Sequence, residues 1–483
     1  MPTASTWKAA DYGVLALGLA LTFGLHLVGL SAVPGLHFDE AWAMNFAWSL
    51  RDQPITVHAM SPYTAPWAHY WALLWMKVFG PSLFAFRASQ LFLSLVGFCF
   101  LADGLRRINQ PRAGAGLFVV VALLPGLVIN GRFGIELNGL HPFCLGLMAW
   151  ALITRRPWLS AVAFFVATTG HILFYAVGLG LLGAAIWEGY AFSRRERAAA
   201  ITALLALAFF FTQVLRLVPE KGKAAALFAS ALVLTGLLLA RAERWRLWRW
   251  IWWDTLALFL SVPFWFNAFF FAEGSWGLAI STGKEAWKGW GALGLGLFLP
   301  FAVWFSFQGA RELPRLARRS LTLIVIGLGL MMLKPAPRYF EVAITLIAVF
   351  LAIGIAKRRL PIRALLTAGL LLHALPIYAD YFSLLPREKE FRFLAFKDSS
   401  RDFLSKQSLA YVLGGLGCGV ADMSLSDSRV AESLRALSLS AEPSTRACAL
   451  KDLRVERRGA NFQLPGGREP DGAAADFIYW GNP

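Results

Sequence analysis

Long apolar runs alternate with short polar segments along the chain from Tyr12 to Phe382. The runs are continuous rather than apolar at every second residue, and many approach the roughly 20 residues that a helix needs to cross a bilayer. This pattern predicts membrane-spanning helices, because a helix satisfies its own backbone hydrogen bonds in lipid. We predict about thirteen spans, at residues 12–33, 88–105, 113–130, 138–154, 157–171, 172–192, 199–218, 224–240, 250–271, 291–308, 320–333, 339–356 and 364–382.

The polar loops differ in charge on the two sides of these spans. Arginine clusters such as "RRINQPR", "SRRER" and "KRRLPIR" fall in every second loop. Loops rich in Lys and Arg remain in the cytoplasm. The rule therefore predicts a cytoplasmic N-terminus, and it puts the 34–87 loop and all residues after Phe382 outside the cytoplasm.

The composition agrees with a membrane protein, because only 16% of the 483 residues are charged, whereas soluble domains have about 25%. The net charge of +17 comes largely from the arginine clusters beside the spans, so no nucleic-acid partner is predicted. From Leu384 onward, Ser, Gly and charged residues become frequent. The predicted fold class is an all-α polytopic membrane domain at 1–383, followed by a small soluble α/β domain at 384–483. Strands are predicted at "LAYVLGG" and "DFIYWG" in that second domain.

The 34–87 loop is too long to be a simple connector. Its segment "TAPWAHYWALLWMKVFG" is amphipathic and rich in aromatic residues. Segments of this kind lie as helices in the membrane interface. We expect one or two interfacial helices in this loop.

Two of the four cysteines, Cys418 and Cys448, lie in the tail. The tail is predicted to be outside the cytoplasm, where disulfides form and persist. We predict that these two residues form a disulfide. Cys99 and Cys144 lie in predicted spans, where cysteine packs as a small apolar residue.

Acidic residues at the predicted outer face are the first candidates for chemistry. Asp39 and Glu40 follow the first span, and Glu136 opens the fourth span. Acids near lipid are costly unless they are paired or hydrated, so two such sites at corresponding depth suggest one shared cavity. A structural alternative remains open for each site. In the first, Asp39 and Glu40 stabilise a helix N-terminus, and in the second, Glu136 forms an ion pair with Arg132.

Basic residues are the second group of candidates. Lys334 and Arg338 lie in the outer segment "KPAPRYFEVAI", and the guanidinium group of arginine suits phosphate. The alternative is that Arg338 extends to lipid headgroups. The sequence has no phosphate-binding glycine loop and no spaced histidine metal motif. One of the outer histidines could still join Asp39 or Glu136 around a divalent ion; the candidates are His37, His58, His69, His141 and His171.

These outer elements form a set with a familiar order. They are "HFDEAW", then "SPYTAPWAHYWALLWMKVFGPSLFAFRAS" with Arg87, then "GRFGIELNGLHPF", and finally "APRYFEVAI". In motifs and layout the chain resembles the polytopic glycosyltransferases of the GT-C superfold, in particular the bacterial protein mannosyltransferase-like family that includes the lipid A aminoarabinose transferases. The resemblance implies a bacterial inner-membrane enzyme. It would transfer a sugar, with inversion, from a polyprenyl-phosphate donor to an extracytoplasmic lipid, glycan or protein.

The resemblance also implies roles for individual residues. Asp39 would act as the general base or orient the acceptor hydroxyl, and Glu40 and Glu136 would position the acceptor. Asp39 and Glu136 would hold a divalent cation (Mg, Mn, Ca or Zn) if one is used. Arg338 with Lys334 would stabilise the phosphate leaving group. The remaining residues of the predicted substrate-binding set are Tyr339, Arg132, Arg87 and His69.

The main alternative is a transporter or flippase for lipid-linked saccharides. Transporters show internal repeats and broken helices with sites at the bilayer midplane. This sequence shows no convincing repeat, and its acids cluster at the predicted outer face. An O-antigen ligase or polymerase and a structural membrane scaffold are further alternatives, and they would not depend on Asp39.

Overall fold

The structure is a computed structural model, and it is predominantly helical. It describes residues 6–31, 38–59, 64–217, 222–241, 250–256, 296–330, 341–382, 423–425, 451–457, 472–474 and 477–482. At 38–39, 136–137, 214–217, 222–224, 296–303, 325–330 and 380, and in the four strands, it describes the backbone alone.

The helices follow the apolar runs. They are α1 (Ala9–Leu27), α2 (Phe38–Ser49), α3 (Trp67–Phe79), α4 (Leu83–Arg107), α5 (Pro111–Leu123), α6 (Pro125–Gly131), α7 (Glu136–Ile153), α8 (Pro157–Gly170), α9 (Tyr175–Trp187), α10 (Arg194–Leu217), α11 (Gly222–Ala240), α12 (Gly296–Arg311), α13 (Arg315–Leu330), α14 (Glu341–Ala356) and α15 (Leu360–Tyr381). Short 3₁₀ turns occupy Leu50–Asp52 and Ile172–Phe174. Residues 250–256 are helical, and the rest of the span predicted at 250–271 lies outside the described residues.

The bounds of two predicted spans differ from those of the observed helices, once near a glycine and once at a proline. The first helix ends at Leu27, before the predicted end of that span, and Gly29 has a φ of 62°, in the left-handed region that favours glycine. The run predicted as one span at 113–130 is divided into α5 and α6, which meet at an angle of 75°. Pro125 begins α6, and its missing N–H removes a hydrogen bond that would continue α5.

Helices cross closely where at least one partner is glycine. A Cβ on Gly146 of α7 would lie 2.1 Å from the carbonyl oxygen of Gly97 on α4. A Cβ on Gly309 of α12 would lie 2.1 Å from the carbonyl oxygen of Phe350 on α14. Small residues allow this approach, which drives association where lipid removes the hydrophobic force between helices. The α4–α7 contact carries the candidate site described below.

Four described helices are long and apolar enough to cross a membrane: Ala9–Leu27, Leu83–Arg107, Arg194–Gln213 and Leu360–Ala379. The bent pair α5–α6 provides a fifth if it is one span. Shorter apolar helices, among them α8, α9 and α14, complete a bundle typical of a multi-pass membrane protein. The number of thirteen spans and the orientation of the termini remain predictions.

The helices expected in the 34–87 loop are present as α2 and α3. The indole Nε1 of Trp67 donates to Thr169 Oγ1 of α8 at 2.8 Å, and that of Trp71 donates to the carbonyl of Ser89 of α4 at 2.8 Å. These bonds attach α3 to the helical bundle along its length.

The tail contributes a four-stranded mixed sheet in the order β1-β2-β4-β3. The strands are β1 (Met423–Leu425), β2 (Lys451–Arg457), β3 (Gly472–Ala474) and β4 (Phe477–Asn482). β1 runs parallel to β2, whereas β4 is antiparallel to β2 and β3. β4 contains most of the predicted "DFIYWG" strand, and "LAYVLGG" lies outside the described residues. The helices of the predicted α/β domain and the domain boundary remain predictions.

Candidate active site

Glu40 is completely buried at the start of α2, where it accepts three hydrogen bonds. Arg87 of α4 donates to its two carboxylate oxygens from Nε and Nη2, each at 2.7 Å, and the backbone N–H of Gly134 donates to Oε1 at 2.7 Å. Both members of the Glu40–Arg87 ion pair have side chains that are 0% exposed. Arg87 Nη1 also donates to the carbonyl of Leu30 at 2.9 Å. The carboxylate therefore joins α2, α4 and the loop before α7.

This junction brings together the segments that carry the two predicted catalytic acids. Asp39 directly precedes Glu40 in α2, and Glu136 begins α7 two residues after Gly134. A Cβ on Gly134 would lie 2.4 Å from the Phe86 ring and 3.1 Å from Glu40 Oε1. Only glycine lets the loop approach α2 and α4 so closely. The backbones at Asp39 and Glu136 are described, and their side chains lie outside the described part.

Arg132 lies on the same loop and is completely buried. Its Nη1 donates to the carbonyls of Leu25 at 2.6 Å and His26 at 2.9 Å, and its Nη2 donates to the carbonyl of Val28 at 2.7 Å. These carbonyls lie at the C-terminus of α1, where a helix leaves its last acceptors unsatisfied. The guanidinium carbon also lies 4.9 Å from the ring centre of Phe382. Arg132 thus attaches the loop to α1 and to the end of the α15 segment.

A buried carboxylate that the prediction missed lies beside this loop. Glu341, the first residue of α14, is 1% exposed, and its Oε2 accepts a hydrogen bond from Asn130 Nδ2 at 3.1 Å. Asn138 of α7 donates to the Asn130 carbonyl at 2.8 Å. Among the described residues, Oε1 of Glu341 and Oγ1 of Thr345 have no hydrogen-bond partner. An acid that opens an apolar span is the signal that identified Glu136, and the same signal would have identified Glu341.

His69 of α3 is buried beside Phe46, with the ring centres 5.0 Å apart. Neither ring nitrogen has a hydrogen-bond partner in the described structure. Burial lowers the pKa of His69 to about 4, because the charged form loses its hydration. His69 is therefore neutral at physiological pH and has two unused polar atoms.

Among the side chains that the structure describes, no group of three or more His, Cys, Asp or Glu residues comes together as a cation site. Two histidines approach each other, His141 and His171, whose ring centres are 5.9 Å apart. The metal site predicted at Asp39 and Glu136 remains a prediction, because those side chains lie outside the described part.

The other predicted site residues lie beyond the described ranges. They are Lys334, Arg338 and Tyr339, which precede α14, and the cysteines Cys418 and Cys448. In the described part, Cys99 and Cys144 are free thiols. Cys144 is buried, as predicted for a small apolar residue, whereas Cys99 is exposed.

Solved structures provide an independent comparison. The archaeal oligosaccharyltransferase AglB from Archaeoglobus fulgidus, in complex with an inhibitory peptide and a dolichol-phosphate, aligns with a TM-score of 0.50 and 12% identity over 95% of this chain. The chain has the GT-C fold. It spans 62% of the length of that oligosaccharyltransferase.

Two structures of ArnT from Cupriavidus metallidurans also align. The form bound to undecaprenyl phosphate has a TM-score of 0.44, with 16% identity over 90% of this chain and 75% of ArnT. The apo form has a TM-score of 0.42, with 14% identity over 89% of this chain and 75% of ArnT. Comparisons with models of protein families and with curated protein sequences give no match.

Proposed function

We propose that this protein is a membrane glycosyltransferase that moves a sugar from a polyprenyl-phosphate donor to an extracytoplasmic acceptor, with inversion. The observation that supports the proposal is the Glu40 junction, which joins the backbone that carries Asp39 to the loop that leads into Glu136. The GT-C fold also supports a lipid-phosphate donor, because the aligned oligosaccharyltransferase binds a dolichol-phosphate. The acceptor is a lipid, a glycan or a protein.

In the proposed transfer, the acceptor hydroxyl attacks the anomeric carbon of the donor sugar. Its proton passes to Asp39 as a new glycosidic bond forms, and a general base must lie within hydrogen-bond reach of that hydroxyl. The bond between the anomeric carbon and the phosphate oxygen breaks, and polyprenyl phosphate leaves with the electron pair. Arg338 and Lys334 would stabilise the charge on that phosphate, where fixed cations are most effective.

The contacts of Glu40, Arg87 and Arg132 support positioning roles in place of the predicted catalytic and substrate-binding roles. The carboxylate of Glu40 accepts bonds from Arg87 and Gly134, and the guanidinium of Arg132 donates to α1 carbonyls. Side chains that are engaged within the protein in this way can hold the segments around a reaction centre. We therefore propose that these three residues fix the geometry of the site.

Glu341 and His69 supply unused polar atoms that suit a substrate rich in hydroxyl groups. A buried polar atom without a partner costs roughly 1–3 kcal/mol. A ligand that offers hydroxyl groups would recover part of this cost on binding. We propose that Glu341, two residues after Tyr339, orients the acceptor or the sugar, and that His69 contacts substrate from α3.

A divalent cation is a further part of the proposal. Carboxylate oxygens are ligands that hard divalent cations prefer, so Asp39 and Glu136 suit such an ion chemically. When bound, the ion would supply positive charge near the reacting phosphate. Removal of metal with a chelator, followed by addition of Mg²⁺, Mn²⁺, Ca²⁺ or Zn²⁺ singly, would identify the requirement through binding of a fluorescent donor analogue as well as through activity.

The test of the proposed function measures transfer from radiolabelled polyprenyl-phosphate sugar in membranes. Asp39→Asn and Glu136→Gln should each abolish transfer while insertion remains normal. Glu312→Gln is a matched control, because Glu312 pairs with Lys357 and is partly exposed. Full activity of Asp39→Asn would disprove the mechanism. Movement of labelled lipid across the membrane without release of polyprenyl phosphate would favour the flippase alternative.

A further inference from the structure

Three buried oxygen atoms where α6, α7 and α14 meet have no hydrogen-bond partner among the described residues. They are Oε1 of Glu341, Oγ1 of Thr345 and Oδ1 of Asn138. The three residues are 1%, 0% and 1% exposed. A buried polar atom that forms no hydrogen bond is costly, so three of them in one place point to a bound ligand.

Hydrogen bonds connect these side chains into one group. Asn130, near the end of α6, donates from Nδ2 to Glu341 Oε2 at 3.1 Å, and its carbonyl accepts from Asn138 Nδ2 at 2.8 Å. The oxygens of Glu341 and Asn138 that lack partners belong to this same carboxylate and this same amide. Thr345 follows Glu341 by four residues in α14, so the two side chains lie on one face of that helix. Glu341, Thr345 and Asn138 therefore form one buried polar group, the Glu341 cluster.

The hydroxyl of Thr345 is unusual for a threonine inside a helix. Such a hydroxyl commonly donates to the carbonyl four residues earlier. Thr168 does so, with Oγ1 at 2.6 Å from the carbonyl oxygen of Phe164. Thr345 forms no such bond with the carbonyl of Glu341, although its side chain is completely buried. Its oxygen is therefore available to a ligand outside its own helix.

The Glu341 cluster carries one negative charge when its carboxyl group is ionised. Glu341 begins α14, and a helix N-terminus favours the ionised carboxylate. Among the described residues, no Lys, Arg or His forms an ion pair with Glu341, and its hydrogen bond comes from the neutral amide of Asn130. A buried carboxylate is costly without a positive partner. A bound cation would supply that partner.

The chemistry of the oxygens indicates which kind of cation fits. A carboxylate, an amide carbonyl and a hydroxyl are hard ligands, and the Glu341 cluster contains none of the His or Cys side chains that zinc and copper prefer. One carboxylate balances one positive charge, so a monovalent ion leaves the buried cluster neutral. An alkali-metal ion has both properties.

We propose that the Glu341 cluster binds one alkali-metal cation through Glu341 Oε1, Thr345 Oγ1 and Asn138 Oδ1. The ion stabilises the junction of α6, α7 and α14. Because a carboxylate oxygen has two lone pairs, Oε1 can bind the ion and still accept a bond from a substrate hydroxyl. This site is separate from the divalent-cation site predicted at Asp39 and Glu136. It does not depend on the function proposed above.

The test measures the unfolding equilibrium of the full-length protein by urea in neutral detergent micelles, with a chelator present to remove divalent ions. NaCl or KCl replaces choline chloride at constant ionic strength. An ion that binds only the folded protein lowers the unfolding equilibrium constant about tenfold for each tenfold rise in its concentration above the dissociation constant. We expect this dependence with Na⁺ or K⁺, and the stronger effect identifies the ion. Equal unfolding in NaCl, KCl and choline chloride would overturn the proposal and would indicate a protonated Glu341.

Substitutions locate the ion within the Glu341 cluster. Thr345→Val removes one ligand with little change in shape. It should raise the half-saturating ion concentration at least about tenfold, because a polar contact with a charge is worth that much. Glu341→Gln removes the negative charge and should abolish the ion dependence.

The matched control is Thr168→Val, because Thr168 is also completely buried and its hydroxyl donates within its own helix. Its ion dependence should equal that of the unmodified protein. An unchanged ion dependence in Thr345→Val and Glu341→Gln would place the ion elsewhere and overturn the proposal. If Glu341→Gln fails to fold, Thr345→Val, which keeps the charge, still decides where the ion lies, and the salt comparison on the unmodified protein still decides whether it binds.

Discussion

Replacement of Arg87 by alanine removes the cation from the most deeply buried ion pair that the structure describes. Glu40 and Arg87 are both 0% exposed, and the carboxylate accepts two bonds of 2.7 Å from the guanidinium. In Arg87→Ala, Glu40 retains only the N–H of Gly134 among the donors named above, and the Leu30 carbonyl loses its donor. A buried charge left without its partner destabilises a protein by about 3–5 kcal/mol, and this is the expected loss.

The double variant Glu40→Leu with Arg87→Met distinguishes the ion pair from the packing around it. Apolar replacement of both partners removes both buried charges and is often nearly neutral. Two buried polar groups then lack their partners, the N–H of Gly134 and the carbonyl of Leu30, each at a cost of about 1–3 kcal/mol. The double variant should therefore be more stable than either Glu40→Leu or Arg87→Met alone, with a coupling energy of at least about 2 kcal/mol in the double-mutant cycle of these substitutions.

Activity provides a second readout that separates positioning from simple stabilisation. The folded double variant should still transfer sugar roughly 100-fold more slowly, because a shift of about 1 Å in the segments of Asp39 and Glu136 has an effect of that size. Its apparent KM for the donor should change much less than its kcat.

Unfolding in mixed micelles, followed by tryptophan fluorescence, measures the free energies, and the radiolabel assay measures transfer. Two results would contradict a stabilising ion pair. One is a free energy of unfolding of Arg87→Ala within about 1 kcal/mol of that of the unmodified protein. The other is a double variant whose loss of stability equals the sum of the losses in the two single variants. Full transfer activity in the double variant would refute the positioning role alone.

Three further predictions concern residues around the same site. Arg132→Lys should lower the free energy of unfolding by about 2–3 kcal/mol, because one ammonium nitrogen replaces the two guanidinium nitrogens that donate to three carbonyls at the end of α1. A loss smaller than about 0.5 kcal/mol would count against the role of Arg132. Gly146→Val should lower the free energy of unfolding by at least about 2 kcal/mol, because the side chain forces α7 away from Gly97. The control is Gly116→Ala, where a Cβ meets nothing within 4 Å, and this change should raise the free energy of unfolding slightly. The unfolded chain takes up a proton at His69 as pH falls from 6.5 to about 4 and the folded protein does not. Between pH 6.5 and about 4, the free energy of unfolding of the unmodified protein should therefore fall by about 3 kcal/mol more than that of His69→Leu. Thermal unfolding of both proteins measured against pH tests this, and parallel stability curves for the two proteins would contradict it.

Membrane helices could be predicted from the sequence because their signal is local. A run of apolar residues is sufficient to predict a helix in lipid, so α4, α7 and α14 lie where the pattern indicates. Prediction was weaker where one residue changes the backbone, as at Pro125, where α5 ends and α6 turns away by 75°. The hydropathy of that run is continuous across the break, so hydropathy alone contains no sign of it.

The roles of charged residues were harder to predict, because a role depends on distant partners. Arg87 and Glu40 were both predicted at the site, and they face each other across 47 residues of sequence. Arg132 was expected to meet substrate or Glu136, whereas the structure directs its guanidinium to carbonyls more than 100 residues away. Glu341 lies in the quoted segment "KPAPRYFEVAI" but has no predicted role, and its contact with Asn130 spans 211 residues.

The sequence by itself determined that the chain is a helical membrane protein. It also predicted that Asp39, Glu40 and Glu136 lie at one end of the spans and that most arginine clusters lie at the other end. These properties follow from residue type and spacing. In lipid, the backbone must form its hydrogen bonds within the protein, and a charged side chain is costly. Only the tertiary structure decided that Glu40 connects α2, α4 and the loop that leads into α7. It also decided that Glu341 is buried at the same end of the bundle, where one of its carboxylate oxygens has no hydrogen-bond partner among the described residues. The physical reason is that the effect of a buried charge depends on its partner, and the partner is chosen by how the helices pack.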